Sequence, residues 1–218
     1  MSPKDKIITK IRTVMFIDIV GYTKTTTELT REKFNELHDI FDSLSLPIFE
    51  KNGGKVIQKV GDAFLASFES ATDAVKCGIE LQKNFAQYRF NYPSKKPLHI
   101  RVAIHSGEVI IRDNDIHGDT VNVTARIEGI AHADDIVLSE AVYQAMNKNE
   151  VAVIFIGSHL LKGIKHPIKL FRVKKKNEKI IIPKKRVTPF LSIVLFLLIL
   201  LIILFTYYFI ISPLTMGN

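Results

Sequence analysis

With 218 residues and a formal net charge of +8, the chain has room for one ordinary domain plus an appendage, not two comfortable domains. The charge is concentrated: residues 172–186 hold eight basic side chains against the single acid Glu178, so the rest is nearly neutral and nucleic acid is not an expected partner. The single cysteine, Cys77, excludes an internal disulfide and fits a reducing compartment, and the seven histidines show no paired metal-ligand spacing.

In chain order, Lys10 to Ile19 reads as a buried strand, a β-branched and aromatic run closed by Gly21. Thr30 and Glu32 open a helix on which Phe34, Leu37, Ile40, Phe41 and Leu44 recur at helical spacing until Asn52, Gly53 and Gly54 end it. Two short strands, Lys55 to Lys59 and Ala63 to Phe68, flank a Gly61-Asp62 hairpin turn. A second helix runs from about Ser70 to Tyr88. Strands are expected at Leu98 to Ile104 and Val109 to Ile111, on either side of Ser106 and Gly107. A third helix covers about Asp119 to Ala131, and further strands lie near Ile136 to Leu138, Val151 to Ile156 and Ile168 to Val173. This order predicts an α+β fold, the ferredoxin-like βαββαβ split arrangement with additional C-terminal strands, its sheet covered by helices on one face.

Beyond a polybasic linker (174–187), Pro189 to Ile211 runs 23 residues without a charge, which predicts a transmembrane helix over about 188–211. The basic flank before it and the uncharged tail 212–218 predict a single-pass membrane protein with its globular part (1–173) in the cytoplasm and its C-terminus outside. The linker is expected to touch anionic membrane lipid or to serve as a plain stop-transfer flank.

Asp18, in FIDIVGYT, and Asp62, in KVGDAFLASF, are carboxylates at strand ends. Alone, Asp18 reads equally as a cap, a surface strand end or a ligand, and Asp62 as turn chemistry. Together they offer the hard oxygens that suit Mg²⁺ held with substrate phosphates. Asn122 and Arg126 stand four apart on one helix face, a pattern that a solvated face also gives.

These stretches resemble the class III adenylate and guanylate cyclases. FIDIVGYT is similar to their first metal motif and GDAFLASF to their second. RVAIHSGEV with GDTVNVTARIEG resembles the strand, turn and helix of their substrate-activating pair, and LLKGIKHPIKLFRV their closing hairpin, so the likeness covers about residues 10–174. It implies cyclisation of ATP to 3′,5′-cyclic AMP and pyrophosphate, with two Mg²⁺ or Mn²⁺ ions per site held by Asp18, Asp62 and the Ile19 carbonyl. It further implies phosphate contacts from the turn of Val20, Gly21, Tyr22 and Thr23, a ribose contact from Asn122 and charge stabilisation by Arg126. Lys162 would reach the terminal phosphates, although an exposed turn lysine has a simpler reading. The family's sites lie across a homodimer.

The base-selecting positions implied by the resemblance are Gln58 and Asp115. Asp115 matches the adenylate pattern and can accept from the adenine amino group. Gln58 is neither the adenylate lysine nor the guanylate glutamate, so GTP stays open as a substrate, and Lys59 should point to the other side of its strand. A catalytically silent, membrane-tethered nucleotide-binding or dimerisation module is the reading from another class. The hairpin KVGDAF lacks the GG[DE]EF turn of a diguanylate cyclase.

Overall fold

A computed structural model describes residues 8–22, 26–27, 29–93, 95, 97–175, 178 and 189–206. It divides into two units, residues 1–178 and 179–218.

In the first unit, the strand β1 (Ile8–Ile19) leads to helix α1 (Arg31–Lys51), the hairpin β2 (Lys55–Val60) and β3 (Ala63–Phe68), helix α2 (Ala71–Asn91) and the long strand β4 (Ile100–Arg112). Short β5 (Asp115–His117), helix α3 (Asp119–Glu128), β6 (Ile136–Ser139), the one-turn helix α4 (Glu140–Ala145), β7 (Val153–His159) and β8 (Ile168–Val173) follow. Helix starts obey capping chemistry: Thr30 and Ser70 accept through their hydroxyls from the backbone N–H of Lys33 and Asp73, partnering two of the donors that a helix start leaves bare.

The sheet order is β2-β3-β1-β4-β6-β8-β7, with β5 on the side of β4. The β2-β3-β1-β4 part is antiparallel throughout, and β4 and β6 run parallel. The expected ferredoxin-like core is therefore present, extended by the C-terminal strands.

Two expectations change. The helices do not share one face. Met15, Ile17 and Ile19 of β1 pack into the main core with Phe41, Leu81 and Val142 from α1, α2 and α4, whereas Ala103 of β4 and Val137 of β6 pack with Val123 and Ile127 of α3 on the other. Strand alternation explains this, since successive side chains leave opposite faces. Nor is there a break at Ser106 and Gly107, because β4 pairs with β1 without interruption from Ile100 to Ile111.

In the second unit, helix α5 covers Pro189–Thr206, 18 residues. Among the described residues no helix is long and apolar enough to cross a membrane. This overturns the single-pass placement, with a cytoplasmic catalytic part and an outside C-terminus. Residues 207–211, which completed the expected span, most of the polybasic linker and the tail 212–218 lie outside the described residues.

Candidate active site

β1 carries Asp18 to its C-terminal end. The alternation that sends Ile17 and Ile19 into the main core turns Asp18 to the α3 side. There its cross-strand neighbours are Ala63 at the start of β3 and Arg101 at the start of β4. Asp62 occupies the β2–β3 turn, and its carbonyl accepts from the N–H of Ile19 at 3.3 Å. Asp18, Ile19 and Asp62 thus meet at one end of the sheet.

The electrostatics are those of crowded acids. Burial, the charge of Asp18 and a hydrogen bond with the Asp18 carboxyl together push Asp62 up to about 6. Glu128, the last residue of α3, is raised to about 7 by burial, against the pull of Arg101, with Asp18 and Asp62 adding to the rise. Such shifts mark like charges held close in a poorly solvated place. Arg101 answers part of that charge: its Nε and Nη2 both donate to Asp18 Oδ2, at 2.8 and 2.5 Å, and its guanidinium also contacts Glu128 Oε1. Among the described residues no group of three or more His, Cys, Asp or Glu is arranged to hold a metal ion.

The turn after β1 departs in part from expectation. The Val20 N–H donates to the His99 carbonyl at 2.9 Å, so it is committed just beyond the end of the β1–β4 ladder. Gly21 takes φ +73°, a left-handed conformation that glycine adopts at no steric cost. The Tyr22 hydroxyl lies 2.8 Å from His38 Nε2 on α1, and burial, followed by the charge of Asp62, pushes the phenol pKa above its usual value. Thr23 lies outside the described residues.

Asn122 and Arg126 are both exposed, on the face of α3 opposite its buried Val123, Thr124 and Ile127. Asp115, half-buried, accepts from the Ile116 N–H at 2.7 Å and stands 3.6 Å from His117. Gln58 is exposed on β2 beside an irregularity in the β2–β3 register. Lys59 is committed elsewhere, donating to Asp42 of α1 at 2.6 Å and lying over the Phe64 ring. Lys162 is exposed in the β7–β8 turn beside Gly163.

Sequence reasoning assigned nothing to Arg101 or Glu128, although both fall inside quoted motifs. Their signal is one of parity, visible only once the β1–β4 register is known: an arginine opposite an aspartate on the α3 face.

The model of the adenylate and guanylate cyclase catalytic domain matches residues 7–175. Among curated proteins, the chain is 31% identical over 166 residues to the serine/threonine-protein kinase pkn2 of Myxococcus xanthus, covering 76% of this chain and 20% of that protein. It is 26% identical over 169 residues to a putative adenylate cyclase 3 of Rhizobium meliloti, covering 77% and 29%. The chain thus spans less than a third of the length of these curated relatives. The crystal structure of the adenylyl cyclase CyaB from P. aeruginosa superposes with a TM-score of 0.73 at 26% identity, covering 79% of this chain and 98% of that one. The match across residues 7–175 takes in the Asp18–Asp62 corner, α3 and the closing hairpin together, and the chain therefore belongs to the family of adenylate and guanylate cyclase catalytic domains.

Proposed function

We propose that the chain is an adenylate cyclase converting ATP to 3′,5′-cyclic AMP and pyrophosphate at paired sites across a homodimer. The observation that carries this reading is the meeting of Asp18 and Asp62 at one sheet end, with Asp62 pushed up to about 6 by burial and by Asp18. A divalent cation relieves such crowding. The donors fit hard ions, since two carboxylates and the Ile19 carbonyl leave positions for phosphate oxygens and water. Asp18, Ile19 and Asp62 would hold Mg²⁺ or Mn²⁺, two per site, and such ions acidify the ribose 3′-hydroxyl and neutralise the triphosphate.

The chain's own residues do the rest. The turn of Gly21, Tyr22 and Thr23 cradles the β- and γ-phosphates, and Lys162 reaches their outer oxygens. Asp115 accepts from the adenine amino group and Gln58 contacts the same base. Asn122 orients the ribose so that its 3′-oxygen attacks the α-phosphorus in line; the new O–P bond forms as the bond to the pyrophosphate oxygen breaks. Arg126 stabilises the charge that builds on the α-phosphate, the kind of contribution that dominates such reactions. Asn122 and Arg126 serve the partner's Asp18–Asp62 pair in this scheme, which agrees with their exposure on α3.

Cyclisation of GTP is a second reading, favoured by the amide at Gln58 and by the hydrogen bond that already engages Asp115. The test is an assay of the full chain with equimolar ATP and GTP and either metal. Cyclic AMP as the main product supports the proposal, and cyclic GMP supports the second reading. Nucleotide binding without turnover by a demonstrated dimer supports a silent module.

A further inference from the structure

The turn that follows β1 is pinned at both ends and bare in the middle. On one side the Val20 N–H is held by the His99 carbonyl. At its centre Gly21 stands in open space, since a Cβ built there would meet nothing within 4 Å, so packing at that residue does not fix the turn. On the other side Tyr22 is held twice: its carbonyl accepts from Thr26 Oγ1 at 3.1 Å, and its hydroxyl lies 2.8 Å from Nε2 of His38, 16 residues on. The second contact ties the turn to α1. The His38 ring lies 4.7 Å from that of Phe34 and meets the Tyr22 ring edge-on at 5.7 Å. Burial, then the charge of Lys59, pulls the imidazole below its usual pKa, so it is neutral at pH 7. In the tautomer with its proton on Nδ1, Nε2 accepts from the phenol O–H.

We propose that His38 is a positioning residue for the triphosphate: through the Tyr22 hydroxyl it holds the turn of Gly21 and Tyr22 in the shape that meets the β- and γ-phosphates. The idea rests on reading that turn as the phosphate cradle. His38 touches neither nucleotide nor metal; it acts through Tyr22. A glycine turn that loses one anchor gains backbone conformations, and these must be given up again when phosphate binds. The cost falls on the phosphate end of the substrate rather than on its base or ribose.

The test is calorimetric titration of the full chain with pyrophosphate in the presence of Mg²⁺, beside the KM and kcat for ATP. Tyr22→Phe keeps the ring and deletes one oxygen, and His38→Phe deletes its partner. Each should weaken pyrophosphate binding and raise KM about fivefold, the scale of one hydrogen bond, with kcat within about twofold of the wild type. The two changes together should cost about as much as either alone, because both remove the same bond. His38→Gln, whose amide can bond the same hydroxyl, should stay within about twofold of the wild type. Tyr22→Phe serves if His38→Phe does not fold. Unchanged pyrophosphate affinity in the single variants, losses that multiply in the double variant, or His38→Gln as weak as His38→Phe overturns the inference. A wild-type chain that does not bind pyrophosphate instead overturns the turn as phosphate cradle, and the inference with it.

Discussion

Gly107 of β4 lies against Thr120 of α3 so closely that a Cβ built on the glycine would stand 2.6 Å from Thr120 Oγ1. That hydroxyl donates to the Glu108 carbonyl at 2.6 Å, which fixes the start of α3 on the strand. Gly107→Ala should therefore displace Thr120 and destabilise the fold by about 1–3 kcal/mol, the range for an overpacked contact. Urea unfolding checks it. Adding Thr120→Ala removes the clashing oxygen and should return part of the loss.

The same pair shows why some of the fold was legible and some was not. Ser106-Gly107 looks like a turn in sequence, because turns and close backbone approaches both select glycine. Only the position of α3 tells them apart. Elements with strong local signals, such as the Thr30 and Ser70 helix starts and the Gly61-Asp62 hairpin, lie where the sequence puts them. Which face each helix covers is a long-range property, and α3 on its own side of the sheet was not readable. The site divides in the same way. Asp18 and Asp62 were visible as motif residues, whereas the Arg101–Glu128 contact depends on strand register and on where α3 ends. α5 differs for another reason: apolar composition predicts burial in lipid, whereas among the described residues no helix is long and apolar enough to cross a membrane.

His105 Nδ1 lies 2.7 Å from Ser139 Oγ, linking β4 to β6, and burial pushes the imidazole down from 6.5 to about 4. Between those pH values the unfolded chain binds a proton that the folded chain refuses. Stability from this group is thus complete above about pH 6.5, is lost as pH falls towards about 4, and changes no further below that. The loss should reach about 3 kcal/mol. Unfolding free energies measured across this window should flatten in His105→Gln relative to the wild type.

Base choice can be moved by one side chain. Gln58→Glu places an acceptor pair where the N–H edge of guanine can donate to it, and should raise the ratio of kcat/KM for GTP over that for ATP about tenfold. Asp115→Asn should shift the same ratio towards GTP by removing a charge that repels the guanine carbonyl. Competition assays with both triphosphates read both effects, and an unchanged ratio in both variants would remove these residues from base selection.

The account stands most directly on the sharing of one site between two chains, with Asp18 and Asp62 from one protomer and Asn122 and Arg126 from its twin. Asp18→Ala and Arg126→Ala, each inactive alone, can be purified separately, mixed in equal amounts and assayed for cyclic AMP. Half of the dimers formed at random then carry both lesions on one site and leave the other intact, so activity should return to about a quarter of the wild-type value. Mixed dimers that form, as shown by differential tags, yet stay inactive would contradict the account.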